Sequence, residues 1–258
     1  MNTLRNEFGA LKQMVVRFML VLAVLFTVLL TCTTQEVSVA GQSFPLLVPG
    51  SPSLSVQLFL SAKETLIPVG IPVVALGPVS SFVAPILMAF LVALLLSFPF
   101  GLYFISRFLS PALHPAERRA LARFIIPALI LFYLGCALAY FVIIPQTFSI
   151  LYSFAPSMGV APFFALDDFI SSVFFLTLTT GTAFLLPVAM TVLSRIGLIS
   201  SHFWMRHFRV AIMIAILFSA LITPDGSGVT MVFLSAPLLT LYFVGALVAR
   251  AKTEEEVA

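Results

Sequence analysis

The sequence predicts an all-α integral membrane protein with six transmembrane helices, both termini cytoplasmic, and an extracytoplasmic cap. Three observations predict it. Hydrophobic residues make up 61% of the chain and charged residues 9%, with a mean hydropathy of +1.16. Soluble domains carry about 25% charged residues, so this chain cannot cover a surface with polar groups. Apolar runs of spanning length recur along it. Finally, every lysine and arginine except Lys63 falls on one side when six segments cross.

The spans follow from length. Apolar runs occupy residues 14–32, 82–105, 124–144, 169–193 and 229–249, with a shorter one at 210–223. A spanning helix needs about 20 residues at 1.5 Å each. The 210–223 run therefore covers only about 21 Å of a ~30 Å hydrocarbon core. It is bounded by Arg209 and by Thr223-Pro224-Asp225-Gly226, a turn sequence that stops a helix. It is either re-entrant or a short span that thins the bilayer. Without it, Arg250 and Lys252 would fall outside, so the positive-inside rule favours six spans. A cleavable leader, cut near Ala40, competes for the N-terminus. Met14–Leu30 is long for a leader's apolar core, so a retained first helix is expected. The whole chain, 1–258, reads as one polytopic membrane domain.

The loop 33–81 is poor in charge and rich in Pro, Ser and Val. Alternation at Ser55–Leu60 predicts short extended or interfacial pieces. Residues 145–166 form an apolar, aromatic outside loop. Asp167 and Asp168, which close the approach to the fourth span, are expected to cap that helix and complement its dipole. Prolines at 85, 99, 127, 187 and 237 predict kinked helices that build a concave wall.

Sites of chemistry are sparse. The sequence contains no G-x-x-x-x-G-K-[ST], H-E-x-x-H or G-x-S-x-G pattern. The three histidines lack metal-ligand spacing, and Cys32 and Cys136 sit at depths that disfavour a disulfide. No charge lies mid-span, which argues against an ordinary ion or proton transporter. Thr177, Thr179, Thr180 and Thr182 are the polar residues inside the fourth span; they are expected to bond helix backbone or a neighbouring helix. A net charge of +3 does not point to nucleic acid. No enzyme and no cofactor is expected.

One polar island stands out between two apolar runs: Phe108-Leu109-Ser110-Pro111-Ala112-Leu113-His114-Pro115-Ala116-Glu117-Arg118-Arg119. A carboxylate at such a boundary must be solvated, paired or awaiting a cationic ligand. Glu117 is either an internal counter-ion to Arg118, Arg119 or Arg123, or a ligand site.

Residue patterns around this island resemble a known family. They are Ser97-x-Pro99-x-x-x-Tyr103-x-x-x-x-Phe108-x-x-Pro111-Ala112-Leu113-x-x-x-Glu117-Arg118-Arg119, and then Leu131-Phe132-x-x-Gly135-x-x-x-Ala139-Tyr140-Phe141-x-x-x-Pro145-x-x-Phe148. Phe184-x-x-Pro187 and Thr223-Pro224-Asp225 follow in order. Together, over about 100–258, they resemble the TatC family of the twin-arginine protein translocase.

The resemblance implies a receptor and scaffold that exports folded proteins across a prokaryotic cytoplasmic membrane, driven by the protonmotive force. It implies twin-arginine signal peptides, small single-span TatA/TatB-type subunits and further copies of itself as partners. It places signal-peptide binding on Glu117, Phe108, Leu113, Arg119 and Lys12. It gives structural or partner roles to Pro99, Pro111, Gly135, Tyr140, Pro145, Pro187, Pro224 and Asp225. A guanidinium fits a carboxylate as a bidentate fork. Three positions depart from the family pattern: Ala10-Leu11-Lys12 stands for Glu-Leu-Arg, Leu185 for a glutamate within the fourth span, and Phe104 for Tyr-Gln. A small solute transporter or channel is the other function class left open.

Overall fold

The computed structural model describes residues 2–39, 42–67, 71–109, 115–153, 159, 163–222 and 228–257. They fall into two compact units. One comprises Met1–Ile67, Val73–Phe108 and Phe164–Ile170; the other comprises Pro68–Pro72, Leu109–Phe163 and Ser171–Ala258.

In the first unit, α1 (Asn2–Thr31) is a long apolar helix, the form in which a lipid-embedded backbone satisfies its own polar groups. Its last turns carry threonines whose hydroxyls donate to Ala23 O and Thr27 O, each at 2.8 Å. The chain then turns polar and forms an antiparallel hairpin, β1 (Cys32–Val39) and β2 (Gln42–Pro49). Helix α2 (Leu54–Leu66) follows, then β3 (Val73–Val74) and α3 (Ser80–Leu109), with Pro85 and Pro99 inside it. β3 pairs in parallel with β4 (Phe164–Ala165).

The core of this unit is built on small residues. Ala89 and Ala93 of α3 are fully buried, which lets α1 approach closely. Leu22, Leu25, Phe26 and Leu29 of α1 pack there with Leu54 and Leu58 of α2. Phe26 meets Phe90 edge to face at 6.2 Å. The Gln57 amide uses both ends: it donates to Thr33 Oγ1 at 2.8 Å and accepts from Thr34 Oγ1 at 2.8 Å. It thereby ties α2 to the base of the hairpin.

Two expectations change here. The fold is mostly helical, not all-α, because the polar stretch after α1 pairs as strands. Ser55–Leu60 is helical, not extended. Leu54 and Leu58 share one face at the i, i+4 spacing, with Ser55, Ala62 and Leu66 buried behind them, and this periodicity overrides the short alternation.

The second unit begins with α4 (Pro115–Leu138), a π-turn at Ala139–Ile143 and α5 (Ile144–Ser153). The helix expected over 124–144 thus continues to Ser153, past Pro145, where a loop was expected to begin. Pro145 does not end the helix, because the wide turn just before it absorbs the missing donor and ring clash. Ile144 N–H bonds back to Ala139 O across that turn.

The fourth apolar run divides into α6 (Leu166–Ala183) and α7 (Leu186–Arg195). The break at Phe184–Leu185 precedes Pro187, which lacks the N–H a continuous helix would use. Asp167 and Asp168 occupy the first turn of α6, favourable for its dipole. Asp167 also accepts a 2.6 Å hydrogen bond from buried Ser80. Helix α7 ends on Gly197 at φ +76°, a left-handed position that glycine takes without strain. Leu198 N–H then bonds to Leu193 O, and Gly197 N–H to Ser194 O, satisfying the last carbonyls.

Helix α8 (Ser201–Arg206), α9 (Phe208–Ile222) and α10 (Gly228–Val257) complete the unit. Among the described residues, four helical stretches are long and apolar enough to cross a membrane: Leu11–Thr31, Ser80–Phe108, Leu121–Ser153 and Leu166–Arg195. Phe208–Leu221 and Leu234–Arg250 are shorter apolar helices. Both cysteines are free.

Candidate functional site

In the first unit the start of α1 and the end of α3 frame a groove of about 210 Å³. Leu11, Met14, Val15 and Phe18 line it from α1; Gly101, Phe104, Ile105 and Phe108 line it from α3. Each set has the i, i+3, i+4, i+7 spacing of one helix face. Gly101 permits the closest approach, since a Cβ there would stand 3.1 Å from Phe18 Cε2. Phe108, 42% exposed, belongs to the groove together with Phe104. Lys12 is exposed on the turn that supplies Leu11. Arg107, also exposed, donates to Tyr103 Oη at 3.5 Å. Pro99 lies within α3.

The remaining residues of the polar island belong to the second unit. Pro115 opens α4, a position that tolerates its missing N–H, so Glu117 and Arg119 fall on the first turns of that helix. The side chains of Glu117 and Arg119 lie outside the described residues, as do Pro111, Leu113, Pro224 and Asp225. Arg118 and Arg123 are exposed.

Of the other residues singled out in the second unit, Gly135 and Pro187 sit at close helix contacts. A Cβ on Gly135 would meet Phe184 Cγ at 2.7 Å, so this glycine lets α4 pack against the residue that breaks α6 from α7. Tyr140 is in the π-turn, its ring edge-on to Phe141 at 5.1 Å, and Pro145 opens the helix after it. Pro187 is buried at the start of α7. Leu185 sits in the α6–α7 break. Thr182 bonds the backbone of its own helix, as expected, whereas the buried hydroxyls of Thr177 and Thr180 have no hydrogen-bond partner.

Several residues of this unit gave no functional signal in the sequence. Gly245 faces Pro187, where a Cβ would stand 2.8 Å from Pro187 Cα. Gly181 faces Cys136 and Phe132. Trp204 donates to Ser194 Oγ at 2.9 Å, and Tyr242 donates to Trp204 O at 2.8 Å. These bonds join α7, α8 and α10. The Arg195 guanidinium lies 5.4 Å over the Phe124 ring. A second groove, of about 420 Å³, runs between the α6–α7 break, α9 and α10; Thr182, Leu186, Ile214, Phe218 and Tyr242 are among its walls. Among the described residues no group of His, Cys, Asp and Glu could hold a metal ion.

Residues 7–237 match the family model described as Sec-independent protein translocase protein (TatC). The Sec-independent protein translocase protein TatC of Cenarchaeum symbiosum (strain A) is 34% identical over 204 residues, covering 79% of this chain and 77% of that one. That of Escherichia coli (strain K12) is 32% identical over 184 residues, covering 71% of this chain and 70% of its own. The fold matches a crystal structure of the twin arginine translocase receptor TatC with a TM-score of 0.76 at 24% identity, covering 97% of this chain and 99% of the other.

Proposed function

This chain belongs to the TatC family of Sec-independent protein translocase proteins, and on that premise we propose that it is the receptor and scaffold component of a twin-arginine translocase. It binds twin-arginine signal peptides at its cytoplasmic face and performs no catalysis. The observation that carries this reading is the pattern Phe108-x-x-Pro111-Ala112-Leu113-x-x-x-Glu117, set within the span of the family match. Glu117 takes a guanidinium of the peptide, and Phe108 and Leu113 pack its apolar residues. Charge-assisted hydrogen bonds of this kind contribute about 1.5–3 kcal/mol each, and a planar fork favours arginine over lysine.

The topology belongs to the same reading. All six apolar segments cross a prokaryotic cytoplasmic membrane, leaving both termini and nearly all lysines and arginines in the cytoplasm. At 15 residues, α9 reaches only about 22 Å at 1.5 Å per residue, so the bilayer thins around it. Small single-span subunits dock along the groove lined by α9 and α10, where α9 presents Ala211, Ile214, Ala215 and Phe218.

Glu117→Gln tests the assignment. Titrated with a twin-arginine peptide, the variant is expected to bind roughly 10- to 100-fold more weakly, the loss of one such bond, while inserting and folding normally. Unchanged affinity would make Glu117 an internal counter-ion to Arg118, Arg119 or Arg123.

A further inference from the structure

We propose that the groove between α1 and α3 is a binding site for one anionic phospholipid: an acyl chain lies in the groove and the phosphate sits against Lys12 and Arg107. The lipid shares Phe108 and Lys12 with the peptide site of the reading above, and lipid retention tests it whether or not peptide binds.

Size selects the occupant first. The groove runs from Leu11 to Phe18, seven residue rises or about 10 Å along α1. At about 210 Å³ the groove takes a stretch of one alkyl chain, whereas a helix, at least about 10 Å across, sets only side chains into it. Polarity selects next. All eight lining residues are apolar or glycine. An extended peptide threaded there would bury amide groups with no partner, which is costly in a lipid environment. A hydrocarbon chain carries no such penalty.

Depth and charge then specify the lipid class. The groove lines the first turns of the apolar stretch Leu11–Thr31 and the last turns of Ser80–Phe108. It therefore sits at one end of both spans, at the level of a lipid's glycerol and upper chain. The described charged side chains at that end of the two helices are Lys12, Arg17 and Arg107, all exposed. Among the residues of α1 and α3 whose side chains are described, none is a carboxylate. Long basic side chains at a span's end reach toward the headgroups. Cationic residues flanking an apolar slot at this depth match a molecule with an anionic head and an apolar tail.

The test uses the full chain purified in maltoside micelles, with dioleoyl phosphatidylglycerol and phosphatidylcholine added in equal amounts. Bound lipid is counted by native mass spectrometry. The unaltered protein is expected to retain one phosphatidylglycerol in preference to phosphatidylcholine. Lys12→Gln with Arg107→Gln is expected to lower that preference about 25-fold, taking about fivefold for each basic residue at an anionic headgroup layer. Both residues are exposed, so folding is not at stake. Ile105→Trp fills the groove and is expected to lose the retained lipid of either kind with unchanged helicity by circular dichroism. Equal retention of the two lipids by the unaltered protein, or full retention by Ile105→Trp, would overturn the proposal. So would an Ile105→Trp variant that keeps its lipid but loses peptide binding or self-association, since the groove would then belong to a peptide side chain or a second copy.

Discussion

Replacing Gly245 with alanine probes the contact on which α10 and α7 pack. The added Cβ would stand 2.8 Å from Pro187 Cα and 2.9 Å from Met190 Sδ. The methionine can swing away, but Pro187 Cα is backbone at the start of a helix and cannot. Overpacking against such a wall costs about 3 kcal/mol, the upper part of the usual range. Alanine returns about 1 kcal/mol of helix propensity over glycine, leaving a net loss of about 2 kcal/mol. At about 2–4 °C per kcal/mol for a chain of this size, the melting temperature should fall by about 4–8 °C. The assay is intrinsic: the chain has one tryptophan, Trp204, whose carbonyl is held by Tyr242 of α10. Its fluorescence therefore reports the same packing. Gly9→Ala is the control, since nothing lies within 4 Å of that position, and it should melt at or slightly above the unaltered temperature. Equal melting of Gly245→Ala and Gly9→Ala would refute the reasoning.

Three further outcomes are expected. Gln57→Ala removes the side chain that ties α2 to Thr33 and Thr34; hydrogen–deuterium exchange at residues 32–34 and 49–50 should rise, with a loss of about 1–3 kcal/mol. Tyr242→Phe deletes one hydrogen bond and should cost about 1 kcal/mol, with a shift in Trp204 emission and no change in helicity. Lengthening α9 by five apolar residues within Val210–Ile222 removes the mismatch on which local thinning depends; export of a folded reporter should fall, and unchanged export would separate thinning from function.

How much of this was legible in the sequence depended on the kind of signal. Long apolar runs located the helices because membrane insertion reads total hydrophobicity, and the break near Pro187 followed from its missing donor. The π-turn before Pro145 was not foreseen, since one proline can end a helix or widen a turn, and the choice depends on what packs around it. The helix at 54–66 was harder, because the short alternation at Ser55–Leu60 hides the i, i+4 spacing of Leu54, Leu58, Ala62 and Leu66, and the strands at 32–49 carry no sustained alternation along their length. The α1–α3 groove was invisible for a different reason. Its i, i+3, i+4, i+7 residues are apolar, but so are their neighbours, and a face cannot be distinguished on a helix that is apolar all round. Gly101, Gly181 and Gly245 matter through what faces them, which only the fold supplies. Glu117 drew notice because a lone acid between apolar runs needs a reason, and Phe108 through the family resemblance alone.

The most direct measurement is the affinity of the purified protein for two peptides that differ only in carrying Arg-Arg or Lys-Lys. A carboxylate that receives a guanidinium fork predicts binding at least tenfold tighter for the arginine peptide, with Glu117→Gln erasing most of the difference. Equal affinities for the two peptides would contradict the receptor account.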